Sequence, residues 1–222
     1  NSGPAGGSRS TVTTGNATRV ACENLVKALE KPDGTYRTYE DMVNEGLPTK
    51  YEGKWSTTGT DQDIVTGQGD PFPCYMYGVL LAEVKVNINT GKTRVEKLTI
   101  VTDCGNITNK LLFDGQIYGG LAQGVGLALS EDYEDIHYHN TLTKAGFPQI
   151  KDIPDNIQII YQNTPRPNGA AGASGVGEMP LSGPHAAIVN AIYDACGVRI
   201  TKLPALPEKV LAGLKKIEQG AL

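Results

Sequence analysis

Residues 75–102, YMYGVLLAEVKVNINTGKTRVEKLTIVT, decide the fold class. Val84, Val86 and Ile88 alternate with Lys85 and Asn87, the period of a strand with one buried face. Asn89-Thr90-Gly91-Lys92 reads as a hairpin turn, with Gly91 supplying a positive φ. The return strand spans Thr93 to Thr102. Its inward register moves from Val95 to Leu98 and Ile100, which predicts a bulge across Glu96-Lys97.

Working outward toward the C-terminus, Ile117, Leu121, Val125 and Leu129 form an i, i+4 stripe that predicts a helix over Gly115–Leu129. Ile157, Ile159 and Tyr161 share one face of a strand within Ile153–Gln162. Pro184 opens a helix that Gly197 ends, Val198–Lys202 reads as a short strand, and Leu206-Pro207-Glu208 starts a final helix. Toward the N-terminus, apolar periodicity predicts a helix from about Asn16 to Glu30, stopped by the turn Lys31-Pro32-Asp33-Gly34. Thr38 and Asp41 resemble a capping box for a short helix that Gly46 and Pro48 close. From there to Pro73 the chain is polar and glycine-rich around Trp55, and reads as a long loop. The order hairpin, helix, strand, helix, strand, helix predicts an α+β fold of mixed sheets with packed helices rather than a uniform parallel array. One domain over residues 1–222 is expected, with a sub-division into 1–70 and 71–222 as the alternative.

Bulk properties exclude several function classes. Twenty Lys and Arg against 24 Asp and Glu leave no basic surplus for a phosphate backbone, which argues against nucleic acid as a partner. No run approaches the roughly 20 apolar residues of a membrane span, and no signal peptide leads the chain, so no membrane and a cytoplasmic location are expected. Cys22, Cys74, Cys104 and Cys196 are far apart, unlike zinc or iron–sulfur ligands, and are expected as free buried thiols. The opening run Asn1-Ser2-Gly3-Pro4-Ala5-Gly6-Gly7 reads like the middle of a loop, so a piece of a longer polypeptide is expected.

Three clusters carry chemistry. Gly172, Gly175 and Gly177 lead to Glu178, with Pro180 disfavouring helical angles at Met179. A carboxylate on such a loop is either a general base or a solvated surface residue. Gly6 and Gly7 with Ser8, Arg9, Ser10 and Thr11 precede a helix and offer backbone donors and hydroxyls to a phosphate, although the P-loop lysine step is absent. Gln116 and Gln123 share a helical stripe with Gly119 and Gly120. Five glycines between Gly115 and Gly126 each cost the helix about 1 kcal/mol. Either close packing or a ligand against the backbone offsets that cost. His137-Tyr138-His139 suits a solvated loop better than a metal site. No Gly-x-Gly-x-x-Gly follows a strand, and Gly172-Ala173-Ser174-Gly175-Val176 misses the hydrolase elbow by one position.

The runs GPAGGSRSTVTTGNA, FDGQIYGGLAQGVGLALSEDYED and GASGVGEMPLSGPHAAIVNAIYDACGVRITKLPALPEKVL, in that order, resemble the C-terminal part of the molybdenum-cofactor domain of the xanthine oxidase family. Within it they are most similar to the aldehyde oxidoreductases of sulfate-reducing bacteria. The resemblance implies a molybdenum hydroxylase that oxidises aldehydes to carboxylic acids with water as oxygen source. Hydroxylation of a purine- or nicotinate-type N-heterocycle, or a non-catalytic cofactor-binding or assembly module, are the alternatives. It implies a molybdopterin cofactor, in cytosine dinucleotide form, bound by Gly6, Gly7, Ser8, Arg9, Ser10, Gln116 and Gly177, with Glu178 as the base beside the molybdenum and no protein side chain on the metal. Such a base needs a carboxylate fixed on a tight loop in a dry pocket. The family's two [2Fe–2S] clusters lie on N-terminal domains, and this chain has no residues for them. Expected partners are therefore a small aldehyde, the iron–sulfur and earlier molybdenum-domain portions of the same protein, and a second copy in a homodimer.

Overall fold

The computed structural model describes residues 3–57 and 61–220; positions 1–2, 58–60 and 221–222, which carry parts of the two expected loops, lie outside the described residues. The described chain forms two compact units whose segments interleave along the sequence. The first takes the residues up to Tyr75 with Cys104–Thr108 and Asn163–Gly175, and the second takes Met76–Asp103, Asn109–Gln162 and the residues from Val176 onward.

In the first unit α1 spans Ser10–Leu29, beginning well before the expected Asn16. Its buried residues are Val12 and Asn16, and Asn16 Nδ2 donates to both Val12 O and Asn168 O at 2.9 Å. The first turns are thus held by tertiary contact and a satisfied buried amide, which outweigh the weak helix propensity of Ser10-Thr11-Val12-Thr13-Thr14-Gly15. α2 (Tyr39–Asn44) opens with the expected capping box: Asp41 N donates to Thr38 Oγ1 at 3.1 Å, and Thr38 N donates to Asp41 Oδ2 at 3.0 Å. Within the expected loop, β1 (Asp61–Gln62) and β2 (Gly69–Asp70) form a two-residue antiparallel ladder. All four cysteines of the chain are free, but Cys22 is exposed, and Cys104 alone is fully buried. Cys22 lies on the water-facing side of α1, which the expectation of buried thiols missed.

The second unit is built on β3 (Tyr77–Val86), β4 (Thr93–Asp103) and β5 (Asn156–Tyr161), in the order β3-β4-β5. β3 and β4 are the expected antiparallel hairpin, and β4 pairs with β5 in parallel, so the sheet is mixed. Glu83 pairs with Lys97 and Val84 with Val95, leaving Glu96 as the extra residue of the bulge. That slip puts Val95, Leu98 and Ile100 on one face, where they form a core with Ile117, Leu121 and Val125 of α3 (Lys110–Leu129) and Ile188 and Ile192 of α4 (Pro184–Cys196).

Three expectations fail here. Ile88 is exposed, because β3 ends at Val86 and the hairpin turn begins before the alternation runs out. Val198–Lys202 adds no strand to the sheet. Val198 is instead buried against Gly213 of α5 (Pro207–Glu218), where only a hydrogen leaves room for its methyl groups. α3 starts at Lys110 rather than Gly115, because Asn109 caps it by accepting from Leu112 N at 3.0 Å. Among the described residues no helix is long and apolar enough to cross a membrane.

Candidate functional site

In the second unit α3 is the platform for the Gly177–Leu181 segment. Its five glycines divide by their surroundings. A Cβ on Gly120 would come within 2.6 Å of Pro180 Cβ, and one on Gly124 within 2.6 Å of Pro184 Cβ. A Cβ on Gly126 would strike Pro148 and the Glu131 carboxylate. These three glycines are close-packing positions. Gly115 and Gly119 have nothing within 4 Å of such an atom, and they flank the exposed Gln116. Packing therefore accounts for three glycines and leaves two as bare backbone.

Gln116 Nε2 donates to Gly177 O at 2.6 Å, directly before Glu178. The Glu178 carbonyl accepts from Leu181 N at 3.2 Å and from Ser182 Oγ at 3.1 Å. Met179–Leu181 is a single turn of 3-10 helix that leads toward α4, so Met179 takes the helical angles that Pro180 was expected to disfavour. The tight packing of Pro180 and Leu181 on Gly120 overrides that local preference. A Cβ on Gly78 of β3 would lie 2.6 Å from Met179 Sδ, which pins the turn from the sheet side. The Glu178 backbone is thus fixed by α3, β3 and its own turn. Glu178 itself is exposed, so any dry pocket around it needs walls that these residues do not supply.

In the first unit the Gly6–Ser10 loop leads into α1. Gly7 (φ 62°) and Ser8 (φ 56°) are successive residues with positive φ, so the chain turns sharply before it enters α1. Arg9 is the N-cap and offers no side-chain hydrogen bond, so the Ser10 and Thr11 amides have neither an intrahelical acceptor nor a cap. Arg9 Nε instead donates to Pro4 O at 2.9 Å and closes the loop from behind. Gly175 backs the loop: a Cβ there would collide with Ser8 O. Ser174 is held by two bonds to Cys104 O, from its amide at 2.9 Å and from its hydroxyl at 2.8 Å. An uncapped helix start with open glycines and two serines has donor chemistry suited to a phosphate group.

One cluster escaped the sequence reading. Lys110 Nζ donates to Asp114 Oδ2 at 2.5 Å and to the Tyr161 hydroxyl at 2.8 Å, and that hydroxyl donates to Asp114 Oδ1 at 2.5 Å. Hydrogen bonding to Asp114 and then to Tyr161 holds the Lys110 ammonium well above its ordinary range. Burial, then the Asp114 carboxylate, raises the Tyr161 phenol. The cluster ties the first turns of α3 to the end of β5. The i, i+4 spacing of Lys110 and Asp114 was its only trace in the sequence. His137 is exposed and His139 half-buried, and no group of three or more His, Cys, Asp or Glu side chains among the described residues could hold a metal ion.

Comparisons with known proteins agree with the resemblance read from the three runs. Residues 1–154 match the family model described as molybdopterin cofactor-binding domain. The aldehyde oxidoreductase of Megalodesulfovibrio gigas is 62% identical over 216 residues, covering 97% of this chain and 24% of that protein. A probable hypoxanthine oxidase of Escherichia coli (strain K12) is 33% identical over 95% of this chain and 24% of its own length. A solved structure of the aldehyde oxidoreductase from Desulfovibrio gigas superposes with a TM-score of 0.94 at 61% identity, over 96% of this chain and 24% of that one. The chain thus spans about a quarter of the length of these relatives.

Proposed function

The chain belongs to the molybdopterin cofactor-binding domain family, and from that premise we propose that it is part of a molybdenum hydroxylase oxidising aldehydes to carboxylic acids with water as the oxygen source. The observation that carries the proposal is the 2.6 Å bond from Gln116 to Gly177 O, which fixes the backbone that presents Glu178. Conversion of an aldehyde and water to a carboxylic acid releases two electrons and two protons. The molybdopterin cofactor, in its cytosine dinucleotide form, supplies the two-electron acceptor when bound. Glu178 removes a proton from the water-derived nucleophile, a task for a carboxylate on a backbone that cannot drift. Gly6, Gly7, Ser8, Arg9 and Ser10 present amides and hydroxyls to the cofactor's phosphates. Gln116, Gly177 and the bare backbone at Gly115 and Gly119 let the cofactor approach α3 closely. Iron–sulfur clusters of the [2Fe–2S] type and the walls that dry the site belong to other parts of the full-length protein, which acts as a homodimer.

Identity of 62% to an aldehyde oxidoreductase against 33% to a probable hypoxanthine oxidase favours an aldehyde over an N-heterocycle as substrate. The test is Glu178→Gln in the full-length protein. Turnover is expected to fall by about 10²-fold or more at unchanged molybdenum content, and survival within about tenfold would remove Glu178 from the role of base.

A further inference from the structure

The β3-β4-β5 sheet is packed on one face and bare on the other. On the bare face Tyr77, Val79 and Leu81 of β3 are 59%, 69% and 60% exposed, Val101 of β4 36% and Ile160 of β5 42%. The strand register sets Val79, Val101 and Ile160 side by side in one row, with Leu81, Thr99 and Gln158 in the row two residues along. The row beyond is polar, Glu83, Lys97 and Asn156, and there Lys97 Nζ lies 3.2 Å from Glu83 Oε1. An apolar centre with a polar, charge-compensated margin has the composition of a protein interface. β3 and β5 each pair only with β4 among the described residues, so the sheet also keeps two unpaired edges.

A bare apolar sheet face with open edges is an aggregation hazard for a protein in water, and natural chains cover such faces. We infer that this face is a docking surface for an apolar-faced part of the same polypeptide lying outside these 222 residues. The inference rests on the chain being part of a longer enzyme, as its coverage of about a quarter of its relatives implies. A tethered partner acts at an effective concentration on the order of millimolar, far above that of a second free copy. The Glu83–Lys97 pair neutralises that margin, so charge there does not select an acidic or basic ligand.

Cysteine accessibility in the full-length native protein tests this. Val79→Cys and, separately, Thr90→Cys in the exposed hairpin turn are treated with a maleimide, and labelling is read by peptide mass spectrometry, which separates them from Cys22. Val79→Cys is expected to react at least about tenfold more slowly than Thr90→Cys at every protein concentration. Equal rates would overturn the inference, and so would protection that grows with protein concentration, the mark of a second copy. Ile160→Cys repeats the measurement from β5 if the β3 variant does not fold. Molybdenum content of the same samples judges the cofactor reading separately. Protein without molybdenum in which Val79→Cys is protected would sink that reading and leave the docking surface standing.

Discussion

Replacing Gly120 by alanine tests whether α3 positions Glu178. The added Cβ would lie 2.6 Å from Pro180 Cβ and 3.1 Å from both Pro180 C and Leu181 N. Carbon atoms pack favourably at about 3.5–4.0 Å, so α3 and the Met179–Leu181 turn must separate by roughly 1 Å. Neither a proline ring nor backbone can swing aside as a long side chain would. Overpacking of this kind costs about 3 kcal/mol at the upper end, and alanine's better helix propensity returns about 1 kcal/mol. The net loss of about 2 kcal/mol corresponds to a fall in Tm of roughly 4–8 °C for a domain of this size. The shift falls two residues from Glu178, and a 1 Å displacement of a catalytic group can cost about 10²-fold in rate. Full-length Gly120→Ala is therefore expected to keep its molybdenum, melt lower, and lose most of its turnover with little change in KM. A variant whose Tm stays within about 1 °C and whose turnover stays within about twofold of the parent would refute the claim that this contact holds the turn.

Other expectations are simpler. Gly119→Ala, one residue away but with open space around it, should raise the Tm of the cofactor-free full-length protein by about 2–4 °C, since about 1 kcal/mol of helix propensity is gained with no collision. The same variant should load less molybdenum if the cofactor lies against that backbone, which metal analysis of the purified protein would read. Thr38→Ala removes half of the α2 capping box and should cost about 1 kcal/mol, measured by urea unfolding. Burial raises the Glu131 carboxyl above its usual range, and its Oε1 has no hydrogen-bond partner. The folded state therefore holds that proton more tightly than the unfolded state, so the associated destabilisation is absent below the unfolded pKa and complete once pH exceeds the folded one. Glu131→Gln should accordingly be more stable than the parent at pH 7, with the difference vanishing as pH falls to about 4, in paired denaturant titrations.

The elements that rest on local periodicity or capping were legible in the sequence. The β3–β4 hairpin, its bulge at Glu96, the α2 capping box and the glycine end of α4 each depend on residues within a few positions of one another. The glycine clusters around Gly7, Gln116 and Glu178 were legible too, because a glycine that costs a helix or a loop stability must be offset by something. What offsets it was not legible. Gly119 and Gly120 are neighbours in sequence, yet one is open and the other is filled by Pro180 from a segment 60 residues away. No local rule separates them.

The sequence by itself determined the α+β class, the identity of the candidate base and the family order of the three runs. Tertiary structure alone decided the early start of α1, held by Asn16 against Asn168 O, and the fate of Val198, which packs on α5 instead of extending the sheet. It also decided that Gln116 meets Gly177 and that one sheet face stays bare. Periodicity reports which side of an element is apolar. Which surface meets it depends on contacts between residues far apart in the chain, and those form only when the whole fold closes.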